Sequence, residues 1–302
     1  MNRFFRKLCA LLAGMVWSAA PLAAQPRVPI DSIATADTTV IHAVVLQDGS
    51  KLVGRVVLVT ADSLRIVSAV ASTMLARSAV RSVAQYPVTS LRNGELWPEN
   101  PHPTRLIFAP TAIPLRKGEG YISDFWVFFA SAAVGVTDRF TIGGGLSLIP
   151  SDNFSNNIFY AIPKYTIVSG PTLNVAVGAL AAILPGNGLS GRDPRSLGVL
   201  YGVVTKGSRE SNITAGLGMG YVGGTLSDKP VLTLGAQHRM TRRVAFISEN
   251  WLFPFDRSNE AFVSYGLRFL GEKVAVDFAF GTPLGSNAIF PGVPLLGFAF
   301  KF

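Results

Sequence analysis

Beyond residue 9 the chain has no cysteine. Disulfides, thiol catalysis and thiolate metal sites are therefore excluded from everything after Cys9, although an oxidising compartment stays open because disulfides are optional there. Charge is also scarce: 15% of residues are charged against 49% hydrophobic, and the mean hydropathy is +0.37, too apolar for an ordinary soluble protein. Long hydrophobic runs are missing as well. The longest past the N-terminus, residues 125–136 and 173–184, have 12 residues each, whereas a helical membrane span needs about 20. A membrane-like composition without such a segment points to the other structure that satisfies its backbone in lipid, a closed β-barrel. Histidine is rare too. His42, His102 and His238 stand far apart, without metal-ligand spacing, so no metal site is expected.

The N-terminus reads as an export signal. Arg3, Arg6 and Lys7 precede the apolar run Leu8 to Val16, and small residues follow at Leu22-Ala23-Ala24. Charge, a short apolar core and small residues form the secretory arrangement, so residues 1–24 are assigned as a signal peptide cleaved after Ala24. Cys9 lies inside it, without the small residue before it that a lipidation site needs. Residues 25–37 are a polar spacer. The signal holds three of the nine net positive charges and no acid, which leaves +6. No basic cluster with interleaved aromatics occurs, so no nucleic-acid partner is expected. The residual charge is a solvated face, or a contact with anionic lipid headgroups.

From Thr38 short apolar segments follow closely: 40–46, 52–60, 63–70, 73–76 and 80–86. Gln47-Asp48-Gly49-Ser50 between the first two is a hairpin signal. Leu46-Gln-Asp-Gly-Ser-Lys-Leu-Val-Gly-Arg55, with Arg77-Ser-Ala-Val-Arg-Ser-Val83 later, resembles small SH3-like or Sm-like β-domains of secreted bacterial proteins. Over residues 38–86 the resemblance implies a binding or spacer module in the periplasm. Residues 87–103 carry Pro87, Pro98, Pro101 and Pro103. Proline removes ladder donors and stiffens the chain, so this stretch reads as a linker.

Residues 104–302 alternate between apolar-patterned segments and turn clusters. Twelve segments are expected: 104–112, 120–136, 139–149, 158–168, 172–184, 197–206, 212–222, 230–240, 243–254, 260–270, 273–282 and 293–302. In the seventh, Ile213, Ala215, Leu217, Met219 and Tyr221 oppose Thr214, Gly216, Gly218 and Gly220; in the last, Leu296, Phe298, Phe300 and Phe302 oppose Gly297, Ala299 and Lys301. Apolar residues opposite small or polar ones fit lipid outside and lumen inside, but a soluble sandwich also alternates. The connections separate the two. Short turns at 137–138, 169–171, 241–242 and 271–272 interleave with longer loops such as 113–119, 150–157, 185–196 and 283–292. Short periplasmic turns and longer external loops characterise outer-membrane barrels. The fold class is therefore all-β: a transmembrane antiparallel barrel of about twelve strands in the outer membrane, after a small SH3-like β-domain.

The terminal Phe302, with Phe298 and Phe300 before it, resembles the C-terminal signal read by the barrel assembly machinery. The span from Thr104-Arg-Leu-Ile-Phe-Ala-Pro110 through Gly118-Glu-Gly-Tyr121 resembles uncharacterised bacterial outer-membrane proteins, a group that implies no substrate. Tyr121, Trp126, Phe140, Tyr221, Trp251, Phe253, Phe255 and Phe269 lie near segment ends and fit interfacial aromatic girdles.

No enzyme is expected. In the twelve-stranded outer-membrane phospholipase family a serine stands two residues beyond the catalytic histidine; after His238 that position is Met240. The aspartate–histidine arrangement of outer-membrane proteases has no match either. Gly143-Gly-Gly145 and Gly216-Leu-Gly-Met-Gly220 lie within strands, with no helix behind them to bind phosphate, and glycine there leaves lumen space. No cofactor follows from any motif. Lys164, Gln237, Arg239, Glu249, Arg268, Asp277 and Lys301 fall on the lumen face. They are read either as an ion-pair network closing a narrow barrel or as the lining of a solute path. Two functions follow: a narrow, porin-like channel for a small solute, or a non-conducting anchor presenting the β-domain to a periplasmic protein or cell-wall partner.

Overall fold

The computed structural model describes residues 28–148, 157–185, 195–254, 259–285 and 290–302. The signal peptide with Cys9, the start of the spacer, Phe255 and parts of the longer loops lie outside the described residues. The chain divides into two compact units, one ending at Trp97 and one beginning at Pro98.

The first unit is a five-stranded antiparallel sheet of β1 (Val40–Leu46), β2 (Lys51–Val59), β3 (Ser63–Val67), β4 (Ser72–Ala76) and β5 (Val80–Pro87), in the order β4-β3-β2-β1-β5. Gly49 takes a φ of +87° in the first hairpin, where a Cβ would be strained. Central β1 is buried on both faces. Val44, Val56, Leu64, Ile66 and Val83 form the core on one side; Ile41, Ala43 and Leu96 pack together on the other. A 3₁₀ turn at Arg77–Ala79 precedes β5. Within the stretch read as a linker, β6 (Leu91–Arg92) and β7 (Glu95–Leu96) pair around Asn93-Gly94.

The second unit is a closed antiparallel barrel. Its strands are β8 (Gly120–Phe125), β9 (Phe129–Gly135), β10 (Phe140–Ser147), β11 (Phe159–Ala161), β12 (Lys164–Ser169), β13 (Leu173–Leu184), β14 (Arg195–Gly207), β15 (Asn212–Val222), β16 (Thr225–Arg239), β17 (Val244–Pro254), β18 (Asn259–Leu270), β19 (Val274–Pro283) and β20 (Val293–Lys301). Each pairs with its sequence neighbour except β11 with β12, and β20 returns to β8 with Lys301 opposite Tyr121. β11 and β12 are two pieces of one strand between β10 and β13. Pro163 has no N–H to give the ladder, which accounts for the break. Counted so, the barrel has twelve strands.

Two changes to the expected strands offset each other. Residues 104–112 are not a barrel strand. They turn back on themselves, with Leu106 N donating to Ala109 O and Thr111 N to Thr104 O, both at 2.9 Å. The expected single segment 120–136 is instead the hairpin β8–β9, turning at Trp126 and Val127, whose φ values are +58° and +65°.

Outward side chains are large, apolar and exposed: Ile122, Tyr165, Leu200, Ile213, Leu234, Phe246, Phe269 and Phe298 are examples from eight strands. An exposed apolar belt around a closed barrel is a lipid-facing surface, and the chain is a membrane-spanning barrel of the outer-membrane type. The connections at 136–139, 170–172, 208–211, 240–243 and 271–273 are all short and lie at the end where β8 begins and β20 finishes. At the opposite end, 148–158, 185–194 and 284–292 are long, while 126–128, 223–224 and 255–258 are short. Three of the expected girdle aromatics do not face lipid. Tyr121 is buried inside, Trp251 is inward, and Phe253 stacks on Trp251 at 5.8 Å.

Candidate functional site

The lumen is occupied by the chain itself. Residues 98–115 run inside the barrel, and Asn100, His102, Thr104, Leu106, Ile107, Ala109, Thr111, Ala112, Ile113 and Leu115 are all buried. An irregular segment there has no ladder partner, so its N–H and C=O groups must find side chains or leave a costly deficit. Inward-facing polar residues of the wall supply those partners.

Arg268 on β18 is the hub. Its Nε and Nη2 bind the two oxygens of Asp277 on β19 at 2.6 and 2.8 Å. The remaining N–H groups donate to the carbonyls of His102 (2.9 Å), Arg105 (3.2 Å) and Leu106 (2.7 Å), and to Gln237 Oε1 (2.7 Å). The side chain is fully buried. Burying such a charge is tolerable only when paired and hydrogen-bonded throughout, and the planar fork of arginine meets that demand. Gln237 also accepts from Asn100 Nδ2 at 3.3 Å.

Glu249 on β17 holds the next turn of the segment. One oxygen accepts from Phe108 N and Ala109 N at 2.7 and 2.8 Å, and the other from Trp251 Nε1 at 2.6 Å. Across the barrel Lys164 Nζ donates to Thr111 O and Ile113 O, both at 2.8 Å. Beside it Thr205 Oγ1 accepts from Ala112 N at 2.8 Å, and Thr166 Oγ1 donates to Ala112 O at 3.2 Å.

The short-turn end carries the remaining charges. Arg239 binds Pro98 O at 3.1 Å and also pairs with Glu210, which accepts from Asn100 N at 2.7 Å. Glu119 sits between Arg209, at 2.9 Å, and Lys301, at 2.5 Å. Glu99 pairs with Arg116 at 3.0 Å, with Lys301 at 3.9 Å. Burial pushes the Glu119 carboxyl up, but Arg209 and Lys301 outweigh it and hold it down at about 2. The same balance, with Arg116 as the main partner, lowers Glu99.

Lys164, Gln237, Arg239, Glu249 and Arg268 therefore each bond directly to residues 98–113, Asp277 does so through Arg268, and Lys301 reaches Glu99. Phe298 and Phe302 are exposed on the outer surface, and Phe300 is half-buried. Among the described residues no group of three or more His, Cys, Asp or Glu could hold a metal ion. The sequence reading missed Asn100, Glu119, Arg209 and Glu210. Its one usable signal was Pro110, which cannot sit in the middle of a central strand.

Toward the long-loop end the lumen changes character. A cavity of about 330 Å³ lies between the plug and the wall of β8–β17. Phe125, Phe129, Ile158, Leu180, Leu184, Leu197, Val199, Val231 and Trp251 line it, with Arg105, Phe108 and Pro110 on the plug side. Gly216 and Gly218 of β15 border it, where a Cβ would run into Thr233 Oγ1 and Val199 Cγ1 respectively. Among the described residues the inward charges cluster around the plug, and the lining of this cavity is apolar apart from Arg105, Lys164 and a few hydroxyl groups.

No protein-family model and no curated protein matches the chain. Among solved structures it is similar to the NanC porin, at 10% identity over 61% of this chain and 97% of that one, with a TM-score of 0.38. It is also similar to a loop-deletion form of OmpT, an outer membrane protein of Vibrio cholerae, at 9% identity over 87% and 97% of the two chains, with a TM-score of 0.35. Likeness at that level carries nothing about function. The fold rests on the strand register and the lipid-facing surface.

Proposed function

We propose that the protein is a self-plugged, non-conducting outer-membrane barrel that holds its N-terminal β-domain at the periplasmic face for a protein or cell-wall partner. One observation carries this reading: the inward charges Lys164, Arg239, Glu249 and Arg268 are spent on the backbone of residues 98–113, rather than left facing a water path. Arg268 alone satisfies three plug carbonyls. A channel reading requires this segment to leave, breaking several charge-assisted hydrogen bonds together.

Sidedness is part of the proposal. Pro98 is held by Arg239 beside the 240–243 turn, and short turns are periplasmic in barrels of this type. The five-stranded sheet with a 3₁₀ turn before its last strand supports a small binding module of the SH3-like kind. Purified full-length protein in a planar bilayer tests the closed state, with no stepwise conductance expected. Stable open channels in the unmodified protein would overturn it. Deleting residues 28–97 should abolish capture of the periplasmic partner while the barrel still shows heat-modifiable migration.

A further inference from the structure

The apolar cavity beside the plug is unused by the anchoring role, and its chemistry is specific. Its lining contains two basic side chains, Arg105 and Lys164, and no aspartate or glutamate. Arg105 comes from the plug, and its Nε is buried without a hydrogen-bond partner; the Tyr201 hydroxyl, in the same lining, is likewise unsatisfied. Among the described residues no carboxylate contacts Arg105. Asp124 on β8 and Glu249 on β17 interact with its charge only at longer range, and both Glu249 oxygens are occupied by Phe108 N, Ala109 N and Trp251 Nε1. Unpaired buried donors are rare in folded proteins, and each calls for an explanation. Here they lie against an otherwise apolar wall, an arrangement that matches a ligand with one anionic end and a hydrocarbon body.

Size narrows the class. At about 330 Å³ the cavity lies at the small end of ligand-binding pockets, which run to roughly 300–1,000 Å³. A pocket of that size suits one hydrocarbon chain better than the two of a phospholipid. We infer that the outer half of the lumen is a binding site for a single-chain anionic amphiphile, its head on Arg105 and its chain along Leu180, Val199 and Trp251. This does not depend on the barrel's being closed to ions.

The test uses the full-length protein in nanodiscs of zwitterionic lipid, titrated with decanoate by calorimetry. Decyl phosphate, decanol and decyltrimethylammonium serve as comparison probes. One decanoate per chain is expected, above the partitioning into empty discs, with the quaternary ammonium excluded. Comparing decanoate with decyl phosphate tells a carboxylate from a phosphate head, and preference for either is consistent with the site. Arg105→Gln should weaken decanoate by about tenfold or more and leave decanol unchanged. Leu180→Trp should abolish both by filling the cavity, with heat-modifiable migration showing that each variant is folded. Binding no greater than to empty discs, equal binding of the cationic probe, or decanoate affinity insensitive to both folded variants would each overturn the inference. A conducting barrel that still binds decanoate would remove the anchor reading alone.

Discussion

Arg268→Ala is the sharpest perturbation of the plug. In the native chain this guanidinium makes six hydrogen bonds: two to Asp277, one to Gln237, and three to the carbonyls of His102, Arg105 and Leu106. Truncation leaves Asp277, nearly fully buried, as a charge without its partner. It also strips three plug carbonyls of their donor. Breaking a buried pair from one side costs about 3–5 kcal/mol. Most of that cost falls on the docked plug, because an undocked segment exchanges the lost partners for water. At about 1.4 kcal/mol per factor of ten, the docked-to-undocked ratio should fall by roughly two to three and a half orders of magnitude. Planar-bilayer recording should then show brief openings absent from the wild type, and the temperature of heat-modified gel migration should drop. Asp277→Ala, which leaves Arg268 its carbonyl and amide partners, should open less often. Silent traces from Arg268→Ala together with an unshifted migration temperature would refute the view that this residue holds the plug.

Two further outcomes follow from other parts of the barrel. Glu119 titrates at about 2 when folded, below its ordinary 4.5, so the folded state binds fewer protons than the unfolded one between those values. Its stabilising contribution is complete above about pH 5 and is lost as pH falls toward 2. Melting curves should be flat in neutral buffer and decline through that acid window, with a shallower decline in Glu119→Gln; identical acid profiles for the two proteins would count against the Arg209–Glu119–Lys301 cluster. At the opposite end Val127 sits at φ +65°, where a β-branched side chain is strained. Val127→Gly should raise the migration temperature by an amount equivalent to about 1 kcal/mol, and a fall would show that contacts of the side chain outweigh the strain.

The barrel was legible because its strands alternate. Ile213 to Val222 and Val274 to Phe280 place large apolar residues on every second position, and the structure puts those residues in lipid. Two elements were illegible for specific reasons. The β8–β9 hairpin turns at Trp126-Val127, with both residues at positive φ, a geometry that normally selects Asn-Gly or Asp-Gly; without that chemistry the run from Gly120 to Val136 reads as one strand. The plug carries Leu106, Ile107 and Ala109 because it packs against a wall that includes Ile247 and Ala279, and alternation cannot tell a lumen-filling segment from a lipid-facing strand. The charged residues of the wall could be placed on the lumen face from their parity within each strand. What they bind could not, since Arg268 meets His102 across 166 positions of sequence.

Why a plug is needed follows from the same inward positions. Small barrels fill their interior with side chains, but twelve strands enclose more space than one layer of side chains can close. Here the inward residues of β15 beyond Thr214 are Gly216, Gly218 and Gly220, and β10 contributes Gly143 and Gly145. Such a wall adds no side chains of its own to the lumen. A backbone segment fills the polar half well because each peptide unit brings its own donor and acceptor, which Arg268, Glu249, Lys164 and Thr205 are placed to meet. The apolar half offers no such partners, so continuing the plug into it would bury unsatisfied peptide groups at a cost of several kcal/mol each in hydrocarbon-like surroundings. The segment accordingly turns back at residues 106–109. It leaves beyond that turn a space suited to a chain without peptide groups, bordered by the guanidinium of Arg105.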